Sequence, residues 1–158
     1  MGTKGSPPDP EKGTKAPLRA VLDANVYVAA YLSRNPRSPN TELFRRWRDS
    51  QFVLLVSKVA LKEVVEKFGE LGIDQQLTLE LVAHILADAE YVHVSEENVH
   101  STILADLDDD YVLACAVVGK AEYLVTYDPH FDCLGGEYRG FKIVDGLHFL
   151  YIVRGDQV

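Results

Sequence analysis

Apolar and polar positions follow two rhythms along this chain. Short, nearly unbroken apolar runs have the length and β-branched content of buried strands: LRAVL at 18–22, FVLLV at 52–56, YVHV at 91–94, YLVTY at 123–127 and FKIV at 141–144. Between them apolar residues recur every three or four positions, which predicts helices. The first is expected over 26–32 with Asn25 as its N-cap, and the second within ELFRRWRDS at 42–50, after a Pro- and Ser-rich loop at 33–41. Ser57 should cap a helix through KVALKEVVEKFGEL, with Val64, Val65, Phe68 and Leu71 on one face. Residues 75–88 form another, built on Leu77, Leu81, Val82 and Ile85. DYVLACAVV is apolar almost all round, so a buried helix stopped by Gly119 is expected there, and DGLHFLYIV is expected as the closing helix. This alternation predicts an α/β fold, a three-layer α/β/α sandwich around a central parallel sheet of four to five strands.

The first seventeen residues, MGTKGSPPDPEKGTKAP, are too polar and too rich in Gly and Pro to bury a core. A disordered tail over 1–17 and one folded domain over 18–158 are the expectation. No apolar run approaches a membrane span or a signal peptide. Cys115 and Cys133 are too few for a zinc set. Cys115 reads as packing; a disulfide stays open, and a reducing cytoplasm is the simpler setting. The net charge of -8 opposes non-specific attraction to a phosphate backbone, so a nucleic acid would need local basic patches or bound cations. The cluster Arg45, Arg46 and Arg48 offers such a patch. A solvated helix face comes first for it, because Leu43, Phe44 and Trp47 already account for that helix's packing.

Four acids change the picture. In a parallel sheet the carboxyl ends of the strands and the amino ends of the following helices share one edge, where ligand sites form. Asp23 ends the first strand, Glu63 lies six residues past Ser57, Asp110 falls in the first turn of the buried helix, and Asp128 follows the fourth strand. All four can converge there. Carboxylates held close together repel, and a divalent cation removes the conflict. Oxygen donors without a Cys or His cluster suit Mg²⁺ or Mn²⁺, and the chemistry such a site supports is hydrolysis of a phosphodiester. Each acid alone also has a structural reading: Asp23 as a cap, the acids of DLDDD as helix-dipole partners, Glu63 as an i,i+4 partner of Lys67, Asp128 as turn chemistry. His130 in YDPHFD ranks below the acids as a metal contact or base.

The arrangement resembles the PIN-domain family, in particular its toxin–antitoxin branch, from about Arg19 to Tyr151. VLDANVYVAA is similar to the family's opening strand and Asp-x-Asn. LLVSKVALKEVVEKF resembles the segment that supplies the second carboxylate, and DLDDDYVLACAVVGKAEYLVTYDPHF its acidic cluster, apolar helix and Thr-x-Asp. The resemblance implies Asp23, Glu63, Asp110 and Asp128 as metal-binding acids, with Asp110 chosen over Asp109 by spacing. It implies Asn25 as the group orienting Asp23, Thr126 as a supporting hydroxyl, and Asp108, Asp109 and Asp132 as auxiliary acids. Tyr127 departs from the family, which commonly has Gly or Arg there. The implied function is a Mg²⁺- or Mn²⁺-dependent ribonuclease acting on RNA, often a homodimer and often restrained by a cognate antitoxin. Two rivals stand behind it. One is a non-catalytic acidic interaction module. The other is a haloacid-dehalogenase-like phosphohydrolase with Asp23 as nucleophile, which ranks low because that family wants Asp where Asn25 stands.

Overall fold

The computed structural model describes residues 16–102 and 107–156. All but the last two residues of the expected tail lie outside that range, as does Asp106. In chain order the elements are β1 (Leu18–Leu22), α1 (Ala24–Leu32), α2 (Pro39–Arg48), β2 (Phe52–Val56), α3 (Lys58–Glu70), α4 (Gln75–Asp88), β3 (Glu90–Tyr91), α5 (Leu107–Val118), β4 (Tyr123–Val125), β5 (Glu137–Tyr138), β6 (Phe141–Val144) and α6 (Gly146–Arg154). The strands form one sheet in the order β3-β2-β1-β4-β6-β5, parallel throughout except for β5 against β6. The mixed α/β fold with a mostly parallel sheet between helices is the expected one. The added strand is β5, whose two residues carry no periodic signal, and β3 is shorter than YVHV suggested.

The strands are buried on both faces. Ala20, Leu22, Leu54, Val56 and Val125 point into a core shared with α1, α2, α3, α4 and α6, while Val21, Leu55 and Leu124 point into one built on α5. That is why these strands read as continuous apolar runs and not as alternating ones. The helices' buried stripes are narrower than expected. On α3 only Val64 and Phe68 are fully buried, while Val65 and Leu71 are exposed, as is Leu77 on α4.

Three helix starts differ from expectation, each for a local reason. α1 starts at Ala24, because Asp23 and not Asn25 is its cap. α2 starts at Pro39, because the Ser38 hydroxyl accepts the Thr41 N–H and proline suits the first helical position. α5 starts at Leu107, so Asp108, Asp109 and Asp110 all fall in its first turn. Gly119 does follow α5, but its reason is space: a Cβ there would meet Cys115 O and Val92 Cγ2 at 2.9 Å, and the left-handed residue is Lys120. Both cysteines are free thiols, and Cys115, buried beside Ser57, has its thiol pushed up to about 12 by burial.

Glu42 fastens α2 to α6. It accepts Arg154 Nη2 at 2.6 Å, Arg154 Nε at 2.9 Å and Arg46 Nε at 2.9 Å. These hydrogen bonds, Arg154's foremost, hold its carboxyl down at about 2. A depressed carboxyl contributes stability above its unfolded value and loses it as pH falls towards the folded one. Glu42→Gln should therefore cost about 1 kcal/mol at neutral pH, near the top of the range for an accessible ion pair. The difference from wild type should shrink between roughly pH 4.5 and pH 2. Urea denaturation of both proteins across that range checks it, and a pH-independent difference contradicts it.

Candidate metal centre

Strand register brings two of the acids together. Leu22 pairs with Val125 across β1 and β4, so the next residues, Asp23 and Thr126, leave the strands side by side. Thr126 Oγ1 donates to Asp23 Oδ2 at 2.7 Å and accepts the Asp128 N–H at 3.0 Å. Asp23 Oδ1 accepts the Ala24 N–H at 2.8 Å, which caps α1. The Asp23 carboxylate is buried, and burial raises its pKa above the ordinary range. The bonds from Thr126 and Ala24 pull the other way, the Asp128 charge adds to the rise, and Lys67 opposes it.

Glu63 reaches the same place from α3, whose cap is the Ser57 hydroxyl accepting from Ala60 N. Its carboxyl is pushed up to about 7, first by burial and then by the Asp23 charge; Lys67 lowers it, and Asp108 and Asp109 raise it. Lys67, one turn along α3, is thus the cation that Asp23 and Glu63 both sense. Sequence reasoning had given it only a solvated pairing with Glu63.

The acid that α5 contributes here is Asp109. Its Oδ2 lies 2.8 Å from His130 Nδ1, which in turn lies 3.5 Å from Asp128 Oδ1. One ligating atom from each of Asp109, Asp128 and His130 falls within 4.8 Å of the others. Asp110, the acid expected here, is placed differently. It does share a face with Leu113, Ala114 and Val117, but that face looks into a separate cavity of about 240 Å³ with His100 and Tyr138. There its Oδ1 accepts the Thr102 N–H at 3.0 Å. Consecutive residues differ by about 100° around a helix, and the stripe Val112, Leu113 and Ala116 that faces the sheet leads back to Asp109. That stripe was the available signal for choosing it.

The supporting residues sort as follows. Asn25 Oδ1 accepts the Tyr127 N–H at 3.4 Å, so it holds the loop after β4, whereas Asp23 is oriented by Thr126 and Ala24. Tyr127 turns its hydroxyl onto Asn40 Oδ1 at 3.1 Å, over Gly146, where any Cβ would collide with both. Asp108 is exposed and acts through its charge on Glu63. Asp132 lines an open cleft of about 290 Å³ beside Asp128. The basic cluster is elsewhere. α2 runs into β2, so its last turn with Arg45, Arg46 and Arg48 stands at the amino edge of the sheet, opposite the acids. Arg46 is held there by Glu42 and Gln51, and Arg48 lines a cavity with Pro17 and Phe52.

This donor set fits a divalent cation. Asp109 and Asp128 bring carboxylate oxygens within 4.8 Å of each other and of His130, Asp23 is tied to the Asp128 backbone through Thr126, and Glu63, pushed up first by burial and then by the Asp23 charge, adds a fourth hard oxygen donor close by. Acids collected at the carboxyl edge of a parallel α/β sheet form a site that can hold a divalent cation. The family follows from the chain itself. Residues 19–130, well over half of it, match the PIN domain model, and the chain belongs to the PIN-domain family. No curated protein is a sequence match. Among solved structures it is similar to PAE2754 from Pyrobaculum aerophilum, with TM-score 0.58, 14% identity, and coverage of 88% of this chain and 91% of that one. It is also similar to VapBC2 from Rickettsia felis bound to a promoter DNA fragment, at 0.54 and 14%, covering 80% and 97%. VapC20 from Mycobacterium tuberculosis, described as a toxin cleaving the sarcin–ricin loop, aligns at 0.53 and 13%, covering 78% and 98%. At such identities the likeness is one of fold.

Two outcomes follow from this geometry. Asp109→Asn should weaken Mn²⁺ binding at least about tenfold, while Asp110→Asn leaves it within about threefold. Calorimetric titration of both variants decides the assignment, and the reverse order would return it to Asp110. The second outcome concerns stability. A carboxyl raised in the folded state favours folding below its unfolded value and loses that contribution as pH rises through the folded one. Without added metal, the protein should lose stability between roughly pH 4.5 and pH 7. Discounted for Glu63's partial exposure, the loss is about 1 kcal/mol, or roughly 2–4 °C in Tm for a domain of this size. Glu63→Gln should flatten that slope in thermal melts, and an unchanged slope contradicts the placement of Glu63.

Proposed function

We propose that the protein is a metal-dependent endoribonuclease that hydrolyses RNA phosphodiester bonds, and that it is the toxin of a toxin–antitoxin pair. The observation that supports this reading is the gathering of carboxylates from β1, α3, α5 and the loop after β4 at the carboxyl edge of the sheet, with Asp109 and Asp128 within 4.8 Å of each other and the charges of Asp23, Asp108 and Asp109 acting on Glu63. Asp23, Glu63, Asp109 and Asp128 would hold the ion, Mg²⁺ or Mn²⁺. A bound divalent ion supplies the positive charge that favours deprotonation of an attacking water and neutralises the phosphate.

The chain's own residues do the positioning. Thr126 keeps Asp23 and Asp128 in fixed relation through one hydroxyl. Lys67 offsets part of the site's negative charge, which matters for admitting a polyanion to a protein of net charge -8. Tyr127, anchored on Asn40, forms one wall beside Asp128. The exposed mouth of the site and a tie to RNA through a bound cation, not through a basic surface, agree with an enzyme that acts on a phosphate backbone.

The toxin assignment draws on relatives of the fold. A Klebsiella pneumoniae structure (TM-score 0.50, 18% identity) is a toxin–antitoxin complex, and VapC20 is a toxin. On this reading the partners are an RNA substrate and a cognate antitoxin, while a second copy of the chain and a cytoplasmic setting are carried over from the family resemblance and the cysteine usage. No helix among the described residues is long and apolar enough to cross a membrane.

The test is cleavage of structured and single-stranded RNA by purified protein with Mg²⁺ or Mn²⁺. Cleavage should require metal, stop in EDTA, and fall at least about 100-fold in Asp128→Asn, in line with loss of a metal-holding group in the reaction. Metal-independent cleavage, or equal cleavage by the variant, sinks the reading. Absence of cleavage with either ion leaves the interaction module in its place.

A further inference from the structure

We infer that His130 is a nitrogen ligand of this centre and tilts its choice of ion from Mg²⁺ towards Mn²⁺. The inference rests on the metal-dependent reading above and adds to it a residue outside the acidic set. Local structure delivers the imidazole. Asp128 Oδ1 accepts the His130 N–H at 2.9 Å, starting a short 3-10 helix over Pro129–Leu134, and Phe131 is buried behind it. That turn folds His130 back over its own cap. Nδ1 then stands 3.5 Å from Asp128 Oδ1 and 2.8 Å from Asp109 Oδ2, a carboxylate only 4% exposed that comes from α5.

Two other histidines show what an ordinary pairing looks like. His84 meets Asp88 and His148 meets Asp145, each three or four residues away at a helix surface. His130 instead joins two acids that different elements carry to the centre, and its ligating nitrogen lies with theirs inside 4.8 Å. A cation about 2.1 Å from each donor brings ligands this close to one another without rebuilding the backbone. Mg²⁺ takes oxygen donors and dehydrates reluctantly. Imidazole is a donor for first-row transition ions, so one nitrogen among carboxylates favours Mn²⁺.

The experiment measures Mn²⁺ and Mg²⁺ affinities of the full chain, Mn²⁺ by the paramagnetic resonance signal of the free ion and Mg²⁺ by competition. Wild type, His130→Gln and Asp128→Asn are compared, with folding verified by thermal melts. If His130 is a ligand, His130→Gln should lose at least about tenfold in Mn²⁺ affinity and no more than about threefold in Mg²⁺ affinity. If the imidazole only positions Asp109, both ions should weaken by the same factor, and that result overturns the inference. So does an unchanged Mn²⁺ affinity. Either outcome leaves the nuclease reading standing, provided Asp128→Asn weakens both ions. A wild-type protein that binds neither ion, or an Asp128→Asn variant that binds both as wild type does, removes the metal-dependent reading and this inference with it.

Discussion

A single hydroxyl, Thr126 Oγ1, ties the Asp23 carboxylate to the backbone of Asp128 and so fixes where two acids enter the site. It donates to Asp23 and receives the Asp128 N–H, and it can do so because β1 and β4 end on the same rung of a parallel ladder. The arrangement costs free energy, since burial disfavours the charged form of Asp23. It persists because both Asp23 oxygens are satisfied within the fold, one by Thr126 and the other by the first turn of α1.

Around that pair the remaining charges arrange themselves by distance. Glu63 arrives from one helix and Asp109 from another, and Lys67 offsets part of the excess. Cap and site are the same atoms in two cases. Asp23 starts α1 and Asp128 starts the 3-10 helix that carries His130, so the orientation of each acid is set by a backbone turn and not by a free side chain. Groups held this way need little rearrangement when a charge enters among them, which is what preorganisation means in an active site.

Much of this was legible in the chain before any coordinates. The long strands and the helices announced themselves by period, and three of the acids sit where strand ends and a serine cap put them. What escaped was angular. Asp109 and Asp110 stand about 100° apart around α5, and that one residue of offset sends Asp110 to a different cavity. Spacing along the sequence measures distance along the axis well and rotation about it poorly, unless the apolar stripe is followed back to its first residue. Asn25 escaped for a related reason. Its partner, the Tyr127 N–H, is 102 residues away and visible only once the strands are paired. Gly146 is the same: nothing local demands glycine, but Asn40 and Tyr127 occupy the space a side chain would need.

The borders of the sheet carry a consequence of their own. β3 and β5, which flank it, are two residues long, and the Arg19 guanidinium reaches across from β1 to grip Glu90 at one border, at 2.6 and 3.0 Å. So few rungs give an incoming strand almost nothing to zip onto. Growth of the sheet by strand addition is thereby discouraged, and another polypeptide that associates with this one is left to do so through helix and loop side chains.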